Sequence, residues 1–516
     1  MPDPLTTLVG RDWEATEVGA CLARPDVRLV TLTGPGGVGK TRLALRVATE
    51  CEGLFEEGVC FVGLAQTTDP DHVLLAVART LEIRCLGGER LVDLLASALD
   101  GRRLLLVLDN LEQVRGAAPR LVELLVACSG LKILATSREV LHVSGEHRYP
   151  VPPLSLGVPR PAPPSPGTGY ADPVPTLTGS DAVGLFVDRA RAVRPDFALD
   201  DHNVVLVAAI CRRVDCLPLG IELAAARLRH LSLSSLLDLL DRRLPVLTGG
   251  PRDSPVRLRT MHDAIAWSCD LLTPQERAAF SRLSVFAGGF DLRAAETILR
   301  DDADPASPDP SPVGATRRNE GPAVIDIVSS LVDKSLLRIV DANDGRTRYG
   351  MLETVREFGL TRLAEEEAER DIRLRHLAWC QALAAPDAAP DDAGATRWLG
   401  RLDDDHPNIT AALEWAIDDG NAPPIGPFVL ALAPYWEARG HFVEGIRWLE
   451  MAVERDGGAP AADRLAMMSG AGTLAWLQGD FDRATHWHGQ ALILARAVGD
   501  RVAEAFAQNN LGVQAV

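Results

Sequence analysis

The segment Gly34-Pro35-Gly36-Gly37-Val38-Gly39-Lys40-Thr41 constrains this chain more than any other. It fits the pattern G-x-x-x-x-G-K-[ST], with Gly34, Gly39, Lys40 and Thr41 in the defined positions. An apolar run, VRLVTLT (27–33), precedes it, and KTRLALRVATEC (40–51), with helical spacing, follows. Strand, glycine-rich turn and helix in that order are the context a phosphate-binding loop requires. Glycines let backbone N–H groups point into one concavity, and the helix adds its unsatisfied first-turn N–H groups and positive end. Lys40 is expected to reach β- and γ-phosphates, and Thr41 to ligate Mg²⁺. The candidate phosphate-site residues are thus Gly34, Pro35, Gly36, Gly37, Val38, Gly39, Lys40, Thr41 and Arg42. The plainer alternative is a glycine-rich turn with a solvated lysine.

The surroundings fit an α/β domain. GVCFVGL (58–64), RRLLLVLD (102–109) and LKILATS (131–137) read as strands, with helical patterns at 70–83 and 118–128 between them. Continuous apolar runs suit strands buried on both faces, and the alternation predicts a doubly wound parallel sheet over residues 1–150. Asp109 ends one strand on the edge where such sheets bind ligands, so it is the second candidate for Mg²⁺, with a helix N-cap as the alternative. Asn110 stands where an acidic residue would serve as general base, and Glu112 falls on the next helix, so slow hydrolysis is expected. Arg138 ends the following strand, from which a guanidinium can meet a γ-phosphate and report its presence.

Beyond this domain the chain changes character. Residues 150–175 contain ten prolines, and a linker is expected over 151–178. A helical domain follows over 179–250, with Pro218 as a first-turn proline. Helices followed by two short strands, SLLRIV (335–340) and RTRYGML (346–352), around the turn DANDG predict a winged-helix domain over 251–360, with a disordered insert at 301–322. From 361 to 516 the pattern is all helical. Gly440/Gly479, Phe442/Phe481, Trp448/Trp487 and Ala452/Ala491 repeat at a constant offset of 39, which suggests tetratricopeptide-like hairpins. The last hairpin begins near Asp500 and lacks its second helix, so the arm reads as cut short.

Charge and composition narrow the function. The formal net charge is −18, against bulk binding of nucleic acid. The winged-helix stretch is no exception, with 13 basic and 16 acidic residues over 256–360. Of the 53 basic residues only Lys40, Lys132 and Lys334 are lysine, and Lys40 alone has a chemical reason in the sequence. Nine scattered cysteines without a C-x-x-C pair argue for free thiols in a reducing compartment. The first residues lack a signal-peptide pattern and no apolar run spans a bilayer, so a cytoplasmic protein without membrane contact is expected.

The motifs LVGRD (8–12), GPGGVGKT, LLLVLDN, KILATSR and CLPLGIELAAARL (216–228) occur in the order seen in the STAND class of signalling NTPases, which includes the NB-ARC switches. The chain most resembles the ATPases of AfsR/SARP-type and LuxR-type bacterial transcriptional regulators. LSVFAGGFDLRAA (283–295), LVDKSLLRI (331–339) and YGMLETVREFGL (349–360) are similar to the winged-helix part of that family. The resemblance implies that Val9, Gly10 and Arg11 line the adenine or ribose side and that Pro218 closes over the base. Two departures stand out. Where NB-ARC proteins carry Met-His-Asp, with a histidine on the ADP phosphate, this chain has Met351-Leu352-Glu353. A literal Met261-His262-Asp263 lies before the wing and reads as coincidence.

The expected function is an ATP/ADP- and Mg²⁺-dependent signalling switch with slow ATPase activity. A protein or small-molecule signal would act at the repeat arm, the ATP form would oligomerise, and DNA would be reached only through a module not visible in this chain. A kinase-like phosphotransferase and a scaffold with a structural nucleotide are the alternatives.

Overall fold

The computed structural model describes residues 6–65, 67, 69–83, 90–157, 177–240, 246–248, 259–300, 323–341, 345–385, 392–455 and 458–514. Most of the proline-rich stretch, the 301–322 insert and residues 342–344 of the expected hairpin turn lie outside them. The described chain forms two compact units. The first comprises Met1–Phe280, Ile325–Arg338 and Met351–Thr361; the second comprises Ser281–Val324, Ile339–Gly350 and Arg362–Val516. The expected winged-helix stretch contributes to both.

The first unit opens with α1 (Asp12–Ala23), β1 (Leu29–Thr33) and α2 (Lys40–Cys51), then β2 (Val59–Gly63), α3 (His72–Thr80) and α4 (Leu91–Leu99). There follow β3 (Leu104–Asp109), α5 (Ala118–Ala127), β4 (Leu131–Thr136) and β5 (Glu146–Pro150). The strands make one sheet in the order β2-β3-β4-β1-β5, every pair parallel. All residues of β1 and β3 are buried, as their apolar runs require with helices on both faces. β5 is the strand the sequence hides. EHRYP is polar, and it sits on the sheet edge with Leu29 opposite Glu146, so it needs no apolar run.

Four helices continue the unit: α6 (Asp181–Val193), α7 (Val204–Arg213), α8 (Pro218–Ala226) and α9 (Leu233–Leu239). Pro218 opens α8 after the extended Leu217, where its missing N–H costs no helical bond. Then come α10 (Met261–Cys269), α11 (Pro274–Leu283), α12 (Leu292–Leu299), which belongs to the second unit, and α13 (Val324–Asp333). The Met261-His262-Asp263 string is the first turn of α10, capped by the Thr260 hydroxyl, which accepts the Asp263 N–H at 2.9 Å. The wing is the two-stranded sheet β6 (Arg338–Asp341) and β7 (Thr347–Gly350), followed by α14 (Glu353–Leu363). Asp215 caps α14: its two carboxylate oxygens accept the N–H groups of Glu353 at 2.9 Å and Thr354 at 2.7 Å.

The second unit ends in an arm of helices: α15 (Glu369–Ala384), α16 (Asp392–Asp418), α17 (Gly426–Arg439), α18 (Phe442–Arg455), α19 (Ala461–Gln478), α20 (Phe481–Val498) and α21 (Arg501–Gln514). The 39-residue repeat has a direct structural meaning. Gly440 and Gly479 end α17 and α19 in left-handed geometry, and Phe442 and Phe481 open α18 and α20. Trp448 is buried at the middle of α18, and its counterpart Trp487 in α20 donates its indole N–H to Glu450 at 2.8 Å. The structure also accounts for the other two lysines. Lys132 donates to the carbonyls of Leu22, at 2.7 Å, and Arg24 at the C-terminus of α1. Lys334 is buried against both carboxylate oxygens of Glu276, at 2.6 and 2.7 Å.

Candidate functional site

A cavity of ≈350 Å³ opens at the C-terminal ends of β1, β3 and β4. That volume lies within the usual range for small-molecule sites. One wall is the loop from Gly36 to Arg42, with Asp109, Asn110, Glu112, Thr136 and Arg138; the other is Leu8, Val9, Arg11, Leu154, Leu185, Pro218, Leu219 and Glu222.

The loop geometry needs its glycines. Gly37 has φ +79°, and a Cβ there would lie 2.7 Å from the Leu219 Cβ, so conformation and space both exclude a side chain. Leu219 also donates its N–H to the Gly37 carbonyl at 3.2 Å, tying the first turn of α8 to the loop. Lys40 folds back over the loop and donates to the carbonyls of Gly34 at 2.7 Å and Pro35 at 3.1 Å. Gly34 and Pro35 therefore act through their backbone and are not among the lining residues.

Oxygen donors gather at the start of α2. The Thr41 hydroxyl donates to Asp109 Oδ1 at 2.7 Å, Thr136 Oγ1 donates to the same oxygen at 2.6 Å, and Asn110 Nδ2 donates to Oδ2 at 2.7 Å. A buried carboxylate joined to a hydroxyl at the cavity wall is a hard, all-oxygen donor set that suits Mg²⁺. Thr136 escaped the sequence reading because the strand pattern gave it no role beyond a register position.

Arg138 is 4 % exposed and held on several sides. Its Nη1 donates to the Ala264 carbonyl at 2.9 Å and to the Ser268 hydroxyl, its guanidinium lies 4.2 Å from the Trp267 ring centre, and Nε is 3.4 Å from Glu112 Oε1. The Ser335 hydroxyl donates to the Arg138 carbonyl at 2.6 Å. Arg138 thus stands between the loop and α10. Glu112 lines the cavity because Asn110, at φ +64°, turns the chain into a short 3₁₀ helix directly after β3. Its Oε2 is buried without a hydrogen-bond partner among the described residues. An acidic residue three positions after a strand-ending Asp was visible in the sequence; the left-handed turn that aims it was not.

The N-terminal segment closes the other side. Arg11 is buried, donates to the Val38 carbonyl at 3.0 Å and pairs with Glu14 at 3.1 Å; burial lowers its pKa against the opposing pull of Glu14. Gly10 does not line the cavity. It turns the chain at φ +68°, where a Cβ would come within 2.5 Å of the Asp181 carboxyl carbon. Val9, Arg11, Gly36–Arg42, Asp109, Arg138 and Pro218 therefore surround one space. The sequence reading missed Leu8, Leu154, Leu185, Leu219 and Glu222, whose types are too common to stand out. Met351, Leu352 and Glu353 are not among the lining residues.

Residues 26–143 match the AAA domain family. The chain is 37 % identical over 486 residues to the putative HTH-type transcriptional regulator Rv0890c of Mycobacterium tuberculosis, covering 92 % of this chain and 50 % of that protein. It is 37 % identical over 362 residues to the uncharacterized protein Rv0894 of the same organism, covering 70 % and 82 %. It is 28 % identical over 367 residues to the regulatory protein AfsR of Streptomyces griseus, covering 68 % and 32 %. The chain spans about half the length of the first of these relatives. With a phosphate-binding loop, a five-stranded parallel sheet and relatives at 37 % identity over most of its length, the chain belongs to the P-loop family, with an AAA domain, that includes these mycobacterial proteins.

Proposed function

We propose that this chain is the ATP-binding switch of a bacterial transcriptional regulator, and that its nucleotide occupies the cavity between the phosphate loop and α8. The observation that carries the reading is the convergence of Lys40, Thr41, Asp109 and Arg138 on that one space. Backbone N–H groups of Gly36–Lys40 hold the phosphates, and Lys40 exchanges its loop carbonyls for β- and γ-phosphate oxygens. Thr41 and Asp109 hold Mg²⁺, which supplies charge neutralisation of the phosphates. Val9 and Arg11 bound the adenine or ribose side, and Pro218 bounds the base. Gly10, Gly34, Pro35, Gly37, Val38, Gly39 and Arg42 set the shape of the cradle.

Arg138 senses the third phosphate. Its bonds to α10 give it a partner to leave, so a nucleotide difference becomes a difference at α10. Glu112, paired with Arg138, is poorly placed to act as a strong base, and hydrolysis is slow. Leu352 supports no histidine-type contact to ADP; at that place the first turn of α14 is instead held by Asp215, from the turn between α7 and α8. A signal enters through the repeat arm, the ATP form self-associates, and DNA is reached through a module outside the residues described here. The protein acts in the cytoplasm; no helix among the described residues is long and apolar enough to cross a membrane.

Calorimetry with ATP and ADP, with and without Mg²⁺, tests the binding. Single-turnover hydrolysis tests the reset, and its absence favours a scaffold with a structural nucleotide. Transfer of label from ATP to an added acceptor rather than water favours a phosphotransferase.

A further inference from the structure

We propose that His406, His441 and Glu444 form a binding site for one divalent transition-metal ion of the Zn²⁺ class, built into the repeat arm and separate from the nucleotide site. His406 comes from α16, His441 from the turn between α17 and α18, and Glu444 from the first turn of α18. Each offers one ligand atom, and these atoms all lie within 4.8 Å of one another. His406 Nε2 is 2.9 Å and His441 Nδ1 is 3.5 Å from the same oxygen, Glu444 Oε2.

Those separations bracket the edge of a metal tetrahedron. With Zn–N and Zn–O bonds of 2.0–2.1 Å, ligand atoms stand about 3.3–3.4 Å apart. Two of the three edges are within about half an ångström of that value, and the third needs a shift of at most about 1.5 Å. The backbone that presents His441 is fixed. Gly440 adopts φ +70°, its N–H bonds the Glu437 carbonyl at 3.3 Å, and the His441 N–H bonds the Trp436 carbonyl at 2.9 Å. The His441 carbonyl accepts the Gly445 N–H at 3.0 Å, so His441 and Glu444 stand one helical turn apart on a common side.

The surroundings support the ligands. Trp448 Nε1 donates to Glu444 Oε1 at 3.3 Å, leaving Oε2 turned to the imidazoles. The two imidazole rings meet edge-to-face, with centres 5.4 Å apart. An ordinary ion pair needs only His406 and Glu444; the second imidazole on the same oxygen is what a metal requires. Two histidines and one carboxylate are the ligand types Zn²⁺ takes with a fourth position left to water, and His441 is exposed enough to give that access. A bound ion ties α16 to the α17–α18 turn.

The test uses the full chain without an affinity tag, stripped with EDTA. Zn²⁺ is titrated by calorimetry, and Co²⁺ is added as a spectroscopic probe of four-coordination. The expected result is one saturable Zn²⁺ equivalent, an intense visible Co²⁺ spectrum and a higher melting temperature with Zn²⁺. His441→Gln, at an exposed turn, is expected to weaken Zn²⁺ at least 10-fold and remove the Co²⁺ spectrum while keeping the fold. His406→Ala and Glu444→Gln are expected to do the same, whereas Thr41→Ala, in the nucleotide site, is expected to leave both signals unchanged. The proposal is overturned if Co²⁺ keeps the pale spectrum of its aqua ion, or if His441→Gln binds Zn²⁺ as the unaltered chain does.

Discussion

Thr41 and Asp109, separated by 68 residues in the chain, are joined by a hydrogen bond of 2.7 Å in the wall of the cavity. The carboxylate oxygen that accepts it also accepts the hydroxyl of Thr136 at 2.6 Å. The start of α2 and the C-terminal ends of β3 and β4 thus meet at one carboxylate oxygen. Asp109→Asn keeps an oxygen for both hydroxyls and removes the charge. We expect it to fold normally and to lose the gain in ATP affinity that Mg²⁺ gives, so that titrations with Mg²⁺ and with EDTA agree. A retained Mg²⁺ gain would remove Asp109 from the metal site.

Lys40→Ala removes an ammonium that donates to the carbonyls of Gly34 and Pro35 in its own loop. ATP affinity is expected to fall at least 10-fold, about 1.4 kcal/mol or more, with an unchanged melting temperature for the nucleotide-free protein. Equal affinity by calorimetry would end the assignment of the phosphate loop.

Arg138→Ala has two expected effects. It weakens ATP more than ADP, and it leaves Glu112 buried without its guanidinium partner, a change that costs about 3–5 kcal/mol in denaturant unfolding. Adding Glu112→Gln is expected to recover a good part of that loss without restoring ATP discrimination. Equal losses for both nucleotides would leave Arg138 a purely structural residue.

Glu276 and Lys334 form a buried pair within the first unit. Burial pushes the Glu276 carboxyl up, but the Lys334 ammonium, the Ser330 hydroxyl and the Thr273 N–H outweigh it and hold the pKa at about 2. A carboxyl lowered on folding stabilises the native state above its unfolded pKa of about 4.3, and that contribution is lost as pH falls towards 2. Lys334→Met is therefore expected to cost about 3 kcal/mol at pH 7 and clearly less at pH 3, measured by urea unfolding at both. A pH-independent difference would contradict the pairing.

Asp215 caps α14 with both oxygens although burial raises its own pKa. Asp215→Ala leaves two helix N–H groups without that acceptor and is expected to cost about 1–2 kcal/mol. Asp215→Asn, which keeps one acceptor oxygen, is expected to lose less than half as much. Similar melting curves for both variants would show that the charge rather than the cap matters.

The phosphate loop and the buried strands were legible because each depends on local pattern: glycine spacing, or an apolar run long enough for a strand covered on two faces. β5 was not, since an edge strand half open to solvent carries no hydrophobic run. Thr136 and Glu112 were not either. Their places depend on parallel register and on one left-handed residue, Asn110, and neither is encoded in spacing. The repeat glycines Gly440 and Gly479 were found as a period, and their physical meaning, left-handed helix ends, appeared only in the backbone. Lys132 and Lys334 had no account in the sequence because their partners, carbonyls of α1 and the carboxylate of Glu276, are remote along the chain.

β1 is hydrogen-bonded on both sides, to β4 and to β5, and none of its five residues reaches solvent. Amides so placed exchange with solvent only when the whole unit opens. The phosphate loop leaves directly from that strand, so its near anchor is among the last parts of the unit to fray. Ordering the loop around a nucleotide then starts from a fixed stem, and what the ligand has left to arrest is the short arc of glycines itself.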